Sequence, residues 1–170
     1  MKTKGTEWDL FLGIGEYHAT TRPTKVRTVL GSCISVTMHH PGTGFGAICH
    51  ASLPAIPMGQ TMDYRYVDLV IPTMIGWFER HKIPRGDLVV KLFGGGEMYG
   101  VAGEPGGLMT VGRQNVTMAR RVLREEGLEL TSSDVGGCHG RALLFHTSTG
   151  KVWVRKNKCH GQSQPAQPGR

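Results

Sequence analysis

The chain has 170 residues, of which 39% are apolar and 19% charged, so it can build a hydrophobic core and is not a wholly disordered protein. Its 25 glycines and nine prolines predict short elements joined by many turns and exclude a long helical bundle. Twenty Lys and Arg against 13 Asp and Glu give a net charge of +7, which suits an acidic partner surface. The basic residues are scattered and are not interleaved with aromatics, so nucleic acid is not the expected partner.

No apolar run approaches the roughly 18 residues that a membrane-spanning helix needs, so we expect no membrane insertion. The segment Met1–Asp9 is polar and lacks the apolar core of a signal peptide. We therefore expect a cytoplasmic protein.

The first half of the chain reads as strands. A short strand is predicted at Leu10–Ile14, followed by one long strand at Val26–Met38. The residues His39–Gly44 form a turn, and Phe45–Leu53 is the returning strand. These segments predict an antiparallel hairpin.

Two helices lie in the middle of the chain. An apolar stripe over Val67–Phe78 predicts the first helix, which Pro72 is expected to kink or break. A strand at Leu88–Phe93 leads into the glycine-rich stretch Gly94–Gly112, which lacks the Gly-Lys-Ser/Thr ending of a phosphate-binding loop. We interpret that stretch as a substrate-groove loop or plain turn structure. The second helix is predicted at Arg113–Glu126, where Gly127 can end it.

Three further strands complete the predicted core, at Leu128–Leu130, Arg141–His146 and Lys151–Arg155. Hairpins combined with two helices favour an α+β layered fold. Residues 1–156 are predicted to form one domain, and residues 157–170, rich in Gln, Pro, Ser and Gly, a disordered tail.

The four cysteines are Cys33, Cys49, Cys138 and Cys159, none of them in a CxxC arrangement. A disulfide framework is not expected in a cytoplasmic chain of this size. Each of the last three directly precedes a histidine, which suggests zinc. However, neighbours on a strand point to opposite faces, so each pair offers one ligand at most. No metal site is predicted, and Cys49 is expected to be a core residue.

The predicted hairpin brings a thiol near an imidazole. If the turn is centred between Pro41 and Gly42, Cys33 lies directly opposite His50, with Cβ atoms about 4.5–5.5 Å apart. A nearby imidazole can activate a thiol for attack on a carbonyl carbon and later protonate the leaving group. Gly31 and Ser32 add room for a substrate and backbone amides for an oxyanion. The alternative is that Cys33 is a buried core cysteine with no chemical role.

These residues belong to motifs that together resemble a known family, the bacterial chemoreceptor glutamine deamidases called CheD. The likeness runs from about Leu12 to Lys156. The matching segments are Gly13–Tyr17, Leu30–Val36, His50–Pro54, Lys91–Met98, Val111–Asn115, Asp134–Gly137 with Arg141, and Thr149–Val152.

The resemblance implies a layered α/β sandwich built on antiparallel hairpins with two main helices, shared with toxins that deamidate glutamine. It implies that Cys33 is the nucleophile and that His50 is the general base and acid. A family threonine that orients the imidazole is best matched by Thr28. Because Thr28 stands five positions before Cys33, an odd number, the two lie on opposite faces of one strand unless a bulge intervenes.

The resemblance further implies hydrolysis of glutamine side chains to glutamate on methyl-accepting chemotaxis receptors, through a thioester, with no cofactor and no metal. It also implies binding of the phosphatase CheC. The alternative is a non-catalytic adaptor that binds receptors or a CheC-type partner. An intact Cys33 and His50 favour the enzyme, because an adaptor needs neither.

Overall fold

The computed structural model describes residues 8–97 and 109–159. Within these ranges the chain forms nine strands, two α-helices and one short 3-10 turn at Arg85–Asp87. The strands and helices in chain order are β1 (Trp8–Phe11), β2 (Glu16–Thr20), β3 (Thr24–Leu30), β4 (Ile34–His40), β5 (Phe45–His50), α1 (Val67–Arg80), β6 (Val89–Gly94), α2 (Val111–Glu125), β7 (Leu130–Val135), β8 (Arg141–His146) and β9 (Lys151–Lys156).

The strands form two sheets. The small sheet has the order β1-β3-β8-β9, and the large sheet has the order β2-β5-β4-β6-β7. Apolar side chains of β4 and β6 pack with α1 and α2 in the main core. On the other face of the large sheet, Ile48 packs against Val26 and Phe145 of the small sheet. The result is three layers, helices on a sheet on a second sheet, which confirms the predicted α+β sandwich.

The predicted long strand Val26–Met38 is two strands. A bend at Gly31–Cys33 separates β3 from β4, and the chain there passes from the small sheet to the large one. The burial patterns agree with this: β3 alternates buried and less buried residues because one face is exposed, whereas β4 is buried on both faces.

The hairpin between β4 and β5 exists, but the predicted register is wrong. His40 pairs with Phe45 across a four-residue loop, so the pairing is centred one residue later than expected. This register sets Ser35, not Cys33, across from His50. Because the resulting shift between partners is two residues, the strand side chains keep their faces. Cys33 itself precedes β4 and packs with Phe93 of β6 and Leu143 of β8, between the two sheets.

Both predicted helices are present. The helix α1 runs through Pro72 without ending there, and α2 begins after Thr110, whose side chain accepts a hydrogen bond from the Arg113 backbone at 3.3 Å. The strand β2 was not expected from the sequence; it pairs with β5.

At the C-terminal end, β7 lies at Leu130–Val135 and not at Leu128–Leu130, while β8 and β9 match their predicted positions to within one residue. The first residues of the predicted disordered tail are held in place: the Asn157 backbone donates to the Gly140 carbonyl at 2.9 Å. Residues 160–170 of that tail lie outside the described residues. Among the residues that are described, no helix is long and apolar enough to cross a membrane.

Candidate active site

The three predicted site residues lie on three different pieces of chain. Thr28 is on β3 of the small sheet, His50 is the last residue of β5 in the large sheet, and Cys33 is in the bend between β3 and β4. Thr28 is on the inward face of its strand and His50 on the face of the large sheet that meets it, and both are buried. The bend removes the objection that Thr28 and Cys33 are an odd number of residues apart, because they do not share a strand.

Thr28 holds the His50 ring through one of its nitrogens. The Thr28 hydroxyl donates to the Leu12 carbonyl at 2.8 Å, and the same oxygen lies 2.8 Å from His50 Nδ1. A hydroxyl has one proton, and here Leu12 takes it, so Thr28 must accept from Nδ1–H. This arrangement keeps Nε2 of a neutral imidazole unprotonated, as a general base requires.

The other ring nitrogen of His50, Nε2, is buried and carries a free lone pair. The atom has no hydrogen-bond partner among the described residues, which is uncommon for a buried ring nitrogen. Burial lowers the pKa of the His50 imidazole, opposed more weakly by the Leu12 carbonyl and by Glu16. The ring is therefore neutral at physiological pH and free to take a proton at Nε2.

Cys33 has a half-buried side chain. Burial raises the pKa of its thiol, and the backbone amide of Cys33 itself lowers that pKa by a smaller amount. The resting thiol is thus protonated, and its ionisation needs a base.

The glycine-rich segment after β6 supports this bend. The amide of Gly95 donates to the Cys33 carbonyl at 2.8 Å, and the amide of Gly96 donates to the Gly31 carbonyl at 2.8 Å. Gly94 has φ +100°, and a Cβ there would collide with the Cys33 carbonyl oxygen. These glycines therefore allow a close approach to the candidate nucleophile. Residues 98–108 of the predicted glycine-rich loop lie outside the described residues.

Asn115 is a site residue that the sequence analysis missed. Its amide group donates to the Ser32 carbonyl at 3.1 Å and to the Ser52 carbonyl at 3.0 Å. Ser32 precedes Cys33 and Ser52 follows His50 by two residues, so one buried side chain of α2 ties both segments together. A signal was present in the sequence, because Asn115 is a polar residue on the buried stripe of the helix.

The remaining cysteines have different environments. Cys49 is a core residue, as predicted, and packs in the main core with the helices; burial raises the pKa of its thiol to about 12. Cys138 and Cys159 are joined by a disulfide with a Cα–Cα distance of 5.2 Å. The sequence argument against disulfides therefore fails for this pair.

A thiol, an imidazole in a fixed tautomer and a hydroxyl that holds the imidazole are the elements of a cysteine hydrolase site. The comparisons with known proteins agree with that class. The family model described as CheD chemotactic sensory transduction matches residues 53–156. That range begins after Cys33 and His50.

Longer alignments to curated relatives include more of the chain. A protein of Geobacter sulfurreducens named "Probable chemoreceptor glutamine deamidase CheD 2" is 47% identical over 148 residues, covering 86% of this chain and 89% of that protein. A protein of Nitratidesulfovibrio vulgaris named "Probable chemoreceptor glutamine deamidase CheD" is 44% identical, with coverage of 86% and 76%. A third relative, from Albidiferax ferrireducens, is 38% identical, with 90% coverage of both chains. The chain belongs to the CheD family.

Proposed function

We propose that this protein hydrolyses glutamine side chains of methyl-accepting chemotaxis receptors to glutamate and ammonia, with Cys33 as nucleophile, His50 as general base and acid, and Thr28 as the positioning residue for His50. The observation that carries the proposal is the Leu12–Thr28–His50 chain of hydrogen bonds, which leaves Nε2 as a buried, unpartnered base. The names of the relatives supply the reaction and the class of substrate.

The reaction needs two half-steps. In the first, His50 Nε2 takes the thiol proton as Cys33 Sγ bonds to the carboxamide carbon of the substrate; the same proton then goes to the departing nitrogen, which leaves as ammonia. In the second, His50 removes a proton from water, the hydroxide attacks the thioester carbon, and the sulfur leaves and regains its proton. Glutamine and water are consumed, glutamate and ammonia are formed, and the enzyme is unchanged. No cofactor or metal enters these steps.

The tetrahedral intermediates carry a negative oxygen that needs a donor. We assign this role to the backbone amide of Cys33, because that amide lies close enough to the sulfur to lower the thiol pKa. The bonds from Gly95 and Gly96 fix the peptide groups on either side of it. A rigid amide beside the reacting sulfur can stabilise the oxyanion without rearranging.

Two surface features favour a protein substrate. Phe11 is 65% exposed and Ile14 is 60% exposed, and between them lie Leu12, which bonds Thr28, and Gly13. An apolar surface beside a reactive site is typical of a protein contact. The net charge of +7 suits an acidic receptor surface in the cytoplasm. Following the family resemblance, we also expect a CheC-type phosphatase to bind this protein.

The direct test is intact-mass analysis of a purified receptor cytoplasmic fragment after incubation with the protein. Deamidation adds about one dalton per site, as expected when an amide becomes an acid. Wild type and Cys49→Ala should give this gain, and Cys33→Ala should not. Cys49→Ala is the matched control because Cys49 is also a free thiol. It is buried against the helices, on the face of β5 opposite to His50. Binding of the fragment by wild type without any gain in mass would replace the enzyme by the non-catalytic adaptor.

A further inference from the structure

A second cluster of reactive side chains lies away from Thr28 and His50, at the end of the small sheet. It consists of Cys138, His139 and Cys159, whose ligand atoms all lie within 4.8 Å of one another. The disulfide accounts for the two cysteines. It does not account for the histidine, whose two ring nitrogens lie 3.5 and 3.6 Å from the Cys159 sulfur.

The local backbone explains how adjacent residues can serve one site. Cys138 and His139 lie in an irregular segment between β7 and β8, not on a strand, so the rule that neighbours face opposite ways does not apply. Gly136 and Gly137, with φ of +72° and +67°, turn the chain there in a way that other residues rarely adopt. Cys159 reaches the same place because it follows β9 by only three residues.

The tautomer of His139 is set for ligation. Its Nδ1 lies 2.9 Å from the Asn157 carbonyl, which can only accept, so Nδ1 carries the proton. The lone pair is then on Nε2, next to the Cys159 sulfur. A ligating histidine typically donates its other ring N–H to a carbonyl or carboxylate in this manner.

We propose that in the reduced chain Cys138, His139 and Cys159 bind one zinc ion. Two thiolates and one neutral imidazole are the soft ligand set that zinc prefers, and two thiolates balance the charge of Zn²⁺. Water completes a four-coordinate ion. Binding releases the two thiol protons, and the disulfide form cannot bind because its sulfurs are not thiolates.

The ion ties together segments that already meet. Gly137 accepts from the Glu97 amide at 2.7 Å, and the His139 carbonyl accepts from Arg141 at 3.1 Å. Zinc therefore links Cys159, just after β9, to the segment of Cys138 and His139. That segment contacts Glu97, which directly follows the glycines that hydrogen-bond to the Cys33 bend. This proposal does not depend on the proposed deamidase activity.

The test uses the full chain carrying Cys33→Ala, so that the other accessible thiol cannot bind metal. The protein is reduced with a phosphine, freed of metal by a chelator, and titrated with zinc against a chromogenic competitor. We expect one equivalent of zinc per chain, abolished by Cys138→Ser or Cys159→Ser and weakened about tenfold or more by His139→Gln. The variant His81→Gln, which changes an exposed histidine at the end of α1, should bind like its parent. Cobalt should give the intense visible bands of tetrahedral thiolate coordination.

A comparison without any cluster substitution covers the case that these variants fold poorly. The Cys33→Ala chain should bind zinc when reduced and lose it when the disulfide has been formed with oxidised glutathione. Equal zinc binding by the oxidised and reduced forms would overturn the proposal, as would retention of zinc by the folded Cys138→Ser, Cys159→Ser double variant. Absence of zinc binding by the reduced parent at micromolar metal would also overturn it, and would leave the disulfide as the only role of the two cysteines.

Discussion

Replacing Thr28 by Val tests the positioning of His50 most directly. Valine has nearly the same shape as threonine but has no hydroxyl, so the substitution leaves His50 Nδ1–H and the Leu12 carbonyl without the partner that now lies 2.8 Å from each. Thr28 then no longer holds the proton of the neutral ring on Nδ1, and the fraction of rings with an unprotonated Nε2 falls. We expect kcat to fall and KM to change little, because the Thr28 side chain is buried and its hydroxyl is already engaged by Leu12 and His50.

The size of the effect follows from the hydrogen bonds that are lost. In the proposed transition state His50 is an imidazolium, and the hydrogen bond that Thr28 accepts from this charged ring is worth about 1.5–3 kcal/mol. About 1.4 kcal/mol corresponds to a factor of ten in rate, so kcat should fall by about 10- to 150-fold. The assay is ammonia release from a receptor fragment, together with ¹⁵N chemical shifts of the His50 ring. The wild-type ring should show a protonated Nδ1 and an unprotonated Nε2.

Thr28→Ser is the matched control, because it keeps the hydroxyl and loses only a methyl group. It should retain most of the activity and the wild-type tautomer. Thermal melts must show that both variants are folded at the assay temperature. If folded Thr28→Val turns over as fast as wild type, or if its ring keeps the same tautomer, Thr28 does not position His50.

Three further predictions follow from the same structure. Because burial raises the pKa of the Cys33 thiol and lowers that of the His50 imidazole, iodoacetamide should alkylate Cys33 with a pH midpoint above that of the urea-unfolded chain; a midpoint below it would indicate a resting ion pair. Asn115→Leu leaves unpaired the two carbonyls that Asn115 bridges, so urea unfolding should show a loss of about 2 kcal/mol and kcat should fall; unchanged kcat in the folded variant would remove Asn115 from the site. Burial alone would raise the pKa of Asp134. Hydrogen bonds from the buried Arg141 and from Lys156 outweigh that effect, so the pKa lies below its ordinary value of 3.8. The stability this carboxylate contributes is present above its unfolded pKa and is lost as pH falls through the folded value, so Asp134→Asn should cost about 1–2 kcal/mol at pH 7 and much less in acid; an equal loss at both pH values would contradict the reasoning.

Hydrophobic periodicity predicted the elements that have one exposed and one buried face. The second helix and β8 lie within two residues of their predicted positions because such faces repeat with a regular period. The prediction of one long strand at Val26–Met38 was wrong. The sequences of β3 and β4 are both typical of strands, and Gly31 is the only local sign that the chain changes sheet between them. The strand β2 was missed because Glu16–Thr20 is short and polar, and it forms only by pairing with the edge of β5.

The spacing argument that paired Cys33 with His50 used the wrong register. A hairpin loop of two or of four residues fits His39–Gly44 equally well, and only the pairing of His40 with Phe45 decides between them. An error of two residues does not change the face of a strand residue. Cys33, although it lies in the bend, packs between the sheets, where His50 is also buried. The contribution of Asn115 required tertiary information, since it bridges Ser32 and Ser52 from a helix far along the chain.

The place of Cys33 in a bend between two sheets suits the proposed mechanism, in which a buried imidazole acts on a thiol that substrate can reach. His50 is buried between the sheets, where Thr28 holds the ring and Nε2 has no hydrogen-bond partner among the described residues. A cysteine inside β4 would be equally buried, like the strand residues that follow it. The bend keeps the thiol half-exposed while the bonds from Gly95 and Asn115 fix the backbone around it. Burial also raises the pKa of the Cys33 thiol and so keeps it protonated at rest. Under the proposed mechanism the thiolate would form only when His50 removes that proton during attack, which would limit side reactions of a free thiolate.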